Sequence, residues 1–151
     1  MIKALVDTNV LLDYLAGREP FYASARKLMV FANMGDYELW MSSSQVADLF
    51  YLLSGGRRSK QMAVKKAIME LRDIVNVCSI GVEEVDRALE SPWSDFEDAL
   101  VHQVAMSFGA RCIITRNQAD FTMSAIPTFD CTEFFEWIEE KERIHFEEVV
   151  L

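Results

Sequence analysis

Aspartate recurs in this chain at places where chemistry could be done. Asp7, in IKALVDTNVLLDYL, ends the apolar run from Ile2 to Val6 and is followed at once by Thr8 and Asn9. Asp48 stands in SSSQVADLFYLL, where every other residue from Val46 to Leu53 is apolar. Asp95 and Asp98 share a helix face, and Asn117 and Asp120 follow the β-like run Cys112 to Thr115. Carboxylates gathered at one place repel one another unless a cation neutralises them, and an all-oxygen donor set suits Mg²⁺ or Mn²⁺ rather than zinc. A cation held in this way lowers the pKa of bound water and polarises a phosphoryl oxygen, which is the chemistry of hydrolysis without a side-chain nucleophile.

Plainer roles compete at each position. Asp7 could cap the next helix, Asp95 and Asp98 could complement a helix dipole, Asn117 and Asp120 could be turn residues, and Asp48 could pair with one arginine. Taken together these roles fare worse, because only Arg116 is a basic neighbour of any of the acids. His102 falls mid-helix and His145 near the end of the chain, neither beside an acid motif, so a histidine general base has little support. No Gly-rich phosphate loop and no G-x-S-x-G elbow occurs.

The elements that must position these side chains alternate. Strands are expected at Lys3 to Val6, Glu38 to Met41, Val75 to Ser79, Cys112 to Thr115 and near Pro127 to Phe129. Helices are expected at Tyr22 to Met34, Ser44 to Leu53, Lys60 to Asp73, Val82 to Leu89, Phe96 to Phe108 and Glu133 to Glu142. Gly17 and Pro20 punctuate the chain between the first two helices. Ser94 with Glu97 reads as a capping box, and Gly109 as the left-handed residue that ends the same helix. The pattern predicts an α/β fold, a parallel sheet of four or five strands covered on both faces. Asp7 and the Asn117–Asp120 pair then lie beyond the carboxyl ends of two strands, the edge where such sheets bind ligands, and Asp98 in the first turns of its helix can lean toward it. The helix around Asp48 should be buried nearly all round, so its carboxylate needs a partner.

With 151 residues, 51% hydrophobic and 26% charged, the chain suits one domain over residues 1–151 with a sizeable core. A net charge of −9 excludes binding nucleic acid by bulk surface charge, but not by a local basic groove. Arg57, Arg58, Lys60, Lys65, Lys66 and Arg72 cluster against the single acid Glu70, while the stretch from Glu133 to Glu148 is acidic. Arg57, Arg58 and Lys60, together with Arg116, are the candidates for phosphate contacts. Cys78, Cys112 and Cys131 form no C-x-x-C pair, which argues against both a disulfide framework and a zinc site and suits a reducing cytoplasm. No apolar stretch is long enough to cross a membrane and no signal-peptide pattern opens the chain, so a soluble cytoplasmic protein is expected.

VDTNVLLDYL, DFEDALVHQVAMSFGA and IITRNQADF, in that order and spacing, resemble the PIN domain family of metal-dependent ribonucleases, which includes the VapC-type toxins of toxin–antitoxin pairs. The resemblance runs from Ile2 to about Phe135. It implies a three-layer α/β/α sandwich and a ribonuclease acting through Mg²⁺ or Mn²⁺. Asp7 and Asp98 fall on metal-binding aspartates of the family, and Asn117 and Asp120 on its remaining polar positions. The family's mid-chain acid is commonly glutamate, and Asp48 matches it one methylene short. Thr8, Asn9 and Thr115 would support Asp7, with Asp95 a further neighbour of the acidic pocket. The resemblance also implies RNA as substrate, a homodimer, and a small antitoxin as partner. A non-catalytic PIN fold used as a binding module is the alternative. A haloacid-dehalogenase-type phosphatase would want a second aspartate where Asn9 stands.

Overall fold

The computed structural model describes residues 1–142, so His145 and the acidic stretch beyond Glu142 lie outside the described residues. Five strands, β1 (Lys3–Val6), β2 (Glu38–Ser42), β3 (Val75–Cys78), β4 (Cys112–Ile114) and β5 (Thr128–Phe129), form one sheet in the order β3-β2-β1-β4-β5. Every pairing is parallel, with Leu5 of β1 opposite Trp40 of β2 on one side and Ile113 of β4 on the other. The helices are α1 (Thr8–Leu15), α2 (Tyr22–Asn33), α3 (Ser43–Ser54), α4 (Gln61–Leu71), α5 (Val82–Glu90), α6 (Phe96–Ser107) and α7 (Cys131–Glu142), and short 3₁₀ turns occupy Arg58–Lys60 and Gln118–Phe121.

Strand alternation explains why both faces are covered. Ala4, Val6, Leu39, Met41, Cys112 and Ile114 point to one side, where they pack with Leu11, Leu28, Leu49, Ile68 and Phe134 from five different helices. Leu5 and Ile113 point to the other, against Val101, Val104 and Ala105 of α6. A strand buried on both faces must be apolar throughout, and β1 and β4 are, so the expected three-layer α/β/α sandwich is what this chain forms. Phe134 and Phe135, 0% and 6% exposed, belong to the larger core.

Three local expectations need correction. Asp95, not Ser94, caps α6: its backbone is extended, and its carboxylate accepts a 3.0 Å bond from the Asp98 amide, so Glu97 is not at the capping-box position. Helix α7 starts at Cys131 rather than Glu133, because Asp130 accepts a bond from the Glu133 amide at 2.8 Å. Helix α3 is not buried all round: Tyr51 and Leu52 are 67% and 60% exposed. Gly109 does take a left-handed conformation, φ 76°, just past α6.

His102 is buried in the smaller core. Its ring stacks on Trp93 with centroids 5.0 Å apart, and Nε2 accepts a bond from the Ala125 amide at 3.1 Å. That bond puts the proton of the neutral ring on Nδ1, which has no partner among the described residues. Burial lowers the His102 pKa from 6.5, so below that pH the unfolded chain takes up a proton that the folded one does not, and the stabilisation supplied by the neutral ring is lost on acidification. His102→Gln should therefore be less stable than the natural protein at pH 8, and the gap in urea midpoint should shrink at pH 5.5. An unchanged gap would contradict this assignment.

Candidate functional site

The chain leaves β1 toward β2 and β3 on one side, then returns to β4 on the other, so the sheet reverses its strand order between β1 and β4. Crevices at such switch points, beyond the carboxyl ends of the strands, are where open α/β sheets bind ligands. Asp7 is the residue after β1, and Thr115 the residue after β4. The Asp7 amide donates to the Ile114 carbonyl at 2.8 Å, which sets the two strand ends side by side.

Asp7 has two roles at once. Its extended backbone and the 2.9 Å bond from the Thr8 amide to Oδ1 make it the N-cap of α1, while Oδ2 accepts from Thr115 Oγ1 at 2.8 Å and from Asn9 Nδ2 at 3.1 Å. Thr115 Oγ1 also accepts from the Asn117 amide at 3.0 Å, and the Asp120 amide bonds the Asn117 carbonyl at 3.0 Å. Thr8, Asn9, Thr115 and Asn117 thus form one hydrogen-bonded bracket around a nearly buried carboxylate. Burial raises the pKa of Asp7, the bonds from Thr115, Thr8 and Asn9 oppose that rise, and the charge of Asp120 adds to it.

Asp98, in the first turn of α6, is pushed up to about 7 by desolvation and then by the charges of Asp95, Asp7, Asp120 and Glu97. Asp7 at the end of β1, Asp98 on α6 and Asp120 in the 3₁₀ turn after β4 therefore repel one another from three separate elements. Asp98 joins two hollows. One is a groove of about 710 Å³ that also carries Asp7, Asp48 and Asn117, and the other a pocket of about 130 Å³ that also carries Asp95 and Asp120.

Asp48 enters the groove through helical spacing: Ser44, Gln45, Asp48, Tyr51 and Leu52 occupy one face of α3 and form one wall. Its carboxylate is half-buried and has no hydrogen bond or ion pair among the described residues. Phe96, Leu100 and Val101 of α6 form the opposite wall. Arg57, Arg58 and Lys60 are exposed beyond the end of α3 and do not line the groove. Arg116 is turned away from the acids. Its guanidinium makes a forked pair with buried Asp13, at 2.6 and 3.1 Å, and lies 3.9 Å over the ring of Phe21.

Two buried polar residues escape a reading of the sequence. Gln45 accepts from the Ser42 amide at 2.8 Å and donates to the Val6 carbonyl at 2.8 Å and to Thr8 Oγ1 at 3.3 Å, tying the start of α3 to the end of β1. Its signal is the Ser42-x-x-Gln45 capping box, which caps α3. Asp13 carries the same signal that singles out Asp48, an acid inside an otherwise apolar run, here Val10 to Ala16.

Whether these residues suit a divalent cation can be judged from their donors. Among the described residues no three acid, histidine or cysteine side chains stand close enough to cage an ion. Mg²⁺ does not require a cage: it keeps several waters and takes one or two carboxylates from a protein. Oxygen donors with unneutralised mutual repulsion, one raised to about 7, fit such an ion. No helix among the described residues is long and apolar enough to cross a membrane.

Comparison with known proteins bears on the same architecture. Solved structures similar to this chain include VapBC2 from Rickettsia felis bound to a promoter DNA fragment, 14% identical with a TM-score of 0.65 over 85% of this chain and 98% of that one. DNA-bound VapBC from Salmonella typhimurium is 15% identical, with a TM-score of 0.66 over 87% and 99%. Mycobacterium tuberculosis VapC20, described as a sarcin-ricin loop cleaving toxin, is 16% identical, with a TM-score of 0.60 over 80% and 94%. At these identities the likeness is one of fold. A comparison with curated proteins gave no match. The PIN domain family model matches residues 3–119, a span that runs from β1 into the turn carrying Asp120, and the chain belongs to the PIN domain family.

Proposed function

We propose that this protein is a ribonuclease that hydrolyses RNA phosphodiester bonds with one or two Mg²⁺ or Mn²⁺ ions, each bound through water and one or two of the carboxylates of Asp7, Asp98, Asp120 and Asp48. The observation that carries the reading is the convergence of Asp7, Asp98 and Asp120, from three elements, on two adjoining hollows at the switch point of a parallel sheet, where like charges repel one another. Repulsion of this kind is costly unless something positive is bound there, and a stable fold that retains it is best explained by a cation. The bound ion would supply a water of lowered pKa and polarise the scissile phosphate. The chain's own part is to hold the carboxylates. Thr115, Asn9 and Thr8 fix Asp7, Asn117 is tied to Thr115, and Asp95 orders the first turn of α6 beneath Asp98.

RNA backbone contacts fall to Arg57, Arg58 and Lys60, exposed beyond the wall of the groove. An acidic site cannot attract RNA by itself, so a basic segment beside it is needed for binding. Replacing Arg57 and Arg58 with glutamate should weaken RNA binding and flatten log K against log salt by about 0.7 for each phosphate no longer neutralised. Unchanged salt dependence would remove these residues from the account.

A toxin–antitoxin complex from Klebsiella pneumoniae among the similar folds, and the description of VapC20 as a sarcin-ricin loop cleaving toxin, support a toxin role, for which the proposed location is the cytoplasm. The proposed partners are RNA, a small antitoxin and a second copy of the chain. A second reading, a PIN fold kept as a non-catalytic binding module, draws on the lack of a ready-made three-ligand cage among the described residues. Cleavage of a labelled structured RNA in Mg²⁺ or Mn²⁺, abolished by EDTA, is the result the first reading expects. Absence of cleavage together with absence of cation binding would favour the second.

A further inference from the structure

We infer that Arg116 and Asp13 are a positioning pair for the cation site, and that Arg116 serves RNA cleavage through Asp7 and Asp120 rather than by touching phosphate. The inference rests on the proposed cation site. Asp13 is buried on α1, 1% exposed, and an ionised carboxylate there needs a full partner. Arg116 supplies it through Nε at 2.6 Å and a second guanidinium nitrogen at 3.1 Å, a planar fork that lysine cannot reproduce. The ring of Phe21, 3.9 Å away, covers the guanidinium on one side.

The position of the pair gives it leverage on the site. Arg116 is flanked by Thr115 and Asn117, and its own amide donates to Asn9 Oδ1 at 3.3 Å. Asn9 and Thr115 both bond Asp7 Oδ2, while the Asn117 carbonyl receives the Asp120 amide. The fork therefore fastens the segment that carries Thr115, Asn117 and Asp120 to the helix that Asp7 caps. Releasing it removes one of the ties that set the spacing between Asp7 and Asp120, without altering either carboxylate. Charge alone predicts the opposite, because removing a cationic side chain near an acidic site should strengthen cation binding.

Mn²⁺ binding to the folded protein, measured by the paramagnetic resonance of free Mn²⁺, separates these ideas by sign. In Arg116→Met the dissociation constant should rise about 10- to 100-fold, the usual cost of losing a partner that orients a metal ligand. Arg116→Lys keeps the charge but not the fork, and should weaken binding as well, which keeps the test open if the methionine variant does not fold. Asp13→Asn combined with Arg116→Met should bind no more weakly than Arg116→Met alone, since both remove one tie. Tighter Mn²⁺ binding in Arg116→Met, or unchanged affinity in folded Arg116→Met and Arg116→Lys, overturns the inference and leaves the proposed cation site standing. Absence of Mn²⁺ binding by the natural protein overturns that site, and the inference with it.

Discussion

Asp7→Asn should lose RNA cleavage by at least about 100-fold while remaining folded. The substitution is nearly isosteric, and its Oδ1 can still accept the Thr8 amide that caps α1. What changes is Oδ2, which becomes an amide facing the Asn9 and Thr115 donors and can no longer bind a cation. Hydrogen bonds lost there cost about 1 kcal/mol each, and removing a desolvated charge offsets part of that. The melting temperature should therefore move by only a few degrees. Loss of activity with loss of fold would mean that the fold depends on the Oδ2 bonds of Asp7, and retained activity would remove Asp7 from the site. Circular dichroism on the cleavage-assay samples decides between these results.

Asp98→Asn should have the opposite signature, gaining stability as it loses cation response. The Asp98 carboxyl titrates near 7 in the folded chain against 3.8 as its ordinary value. Between those values the folded state holds a proton that the unfolded chain has released, so the contribution of Asp98 to stability is greatest at low pH and is lost as pH rises through 7. Above pH 7 the fold carries an uncompensated charge. The Asp98→Asn side chain is neutral at every pH, and at pH 8 in EDTA the variant should be more stable than the natural protein by about 1 kcal/mol, after discounting for solvent screening at this partly exposed position. The two proteins should converge at pH 4. Mn²⁺ should raise the melting temperature of the natural protein at pH 8 and leave that of Asp98→Asn nearly unchanged. A destabilised variant at pH 8, or an equal response to Mn²⁺, would contradict the electrostatic account.

Much of this arrangement is legible in the sequence because the relevant signals are local. An apolar run that stops at Asp7 marks a strand end, and alternating strand and helix patterns force a parallel sheet, which in turn fixes where strand-end residues gather. The cap of α6 falls one residue later than the sequence suggests because Ser94 and Asp95 are both good caps, and the choice between them depends on where the chain enters the helix from the α5 side. The exposure of Tyr51 and Leu52 is not legible either: an apolar helix face reads the same whether it meets a core or walls a groove. Long-range partners are the hardest to foresee. Arg116 stands next to the site residues in sequence and reads as a phosphate ligand, but its guanidinium reaches Asp13, 103 positions earlier in the chain. An acid in an apolar run announces that Asp13 needs a partner, but nothing local to either residue names the other.

On the proposed function, the acids at the β1–β4 switch point hold a divalent cation that RNA cleavage requires. Its most direct test is one titration of Mn²⁺ into the metal-free protein, with bound Mn²⁺ and the rate of cleavage of a labelled structured RNA followed in the same samples. Cleavage should be absent without the ion and rise in proportion to site occupancy. Cleavage that persists in EDTA, or a site that fills with Mn²⁺ while none of a panel of structured and unpaired RNAs is cut, would contradict it.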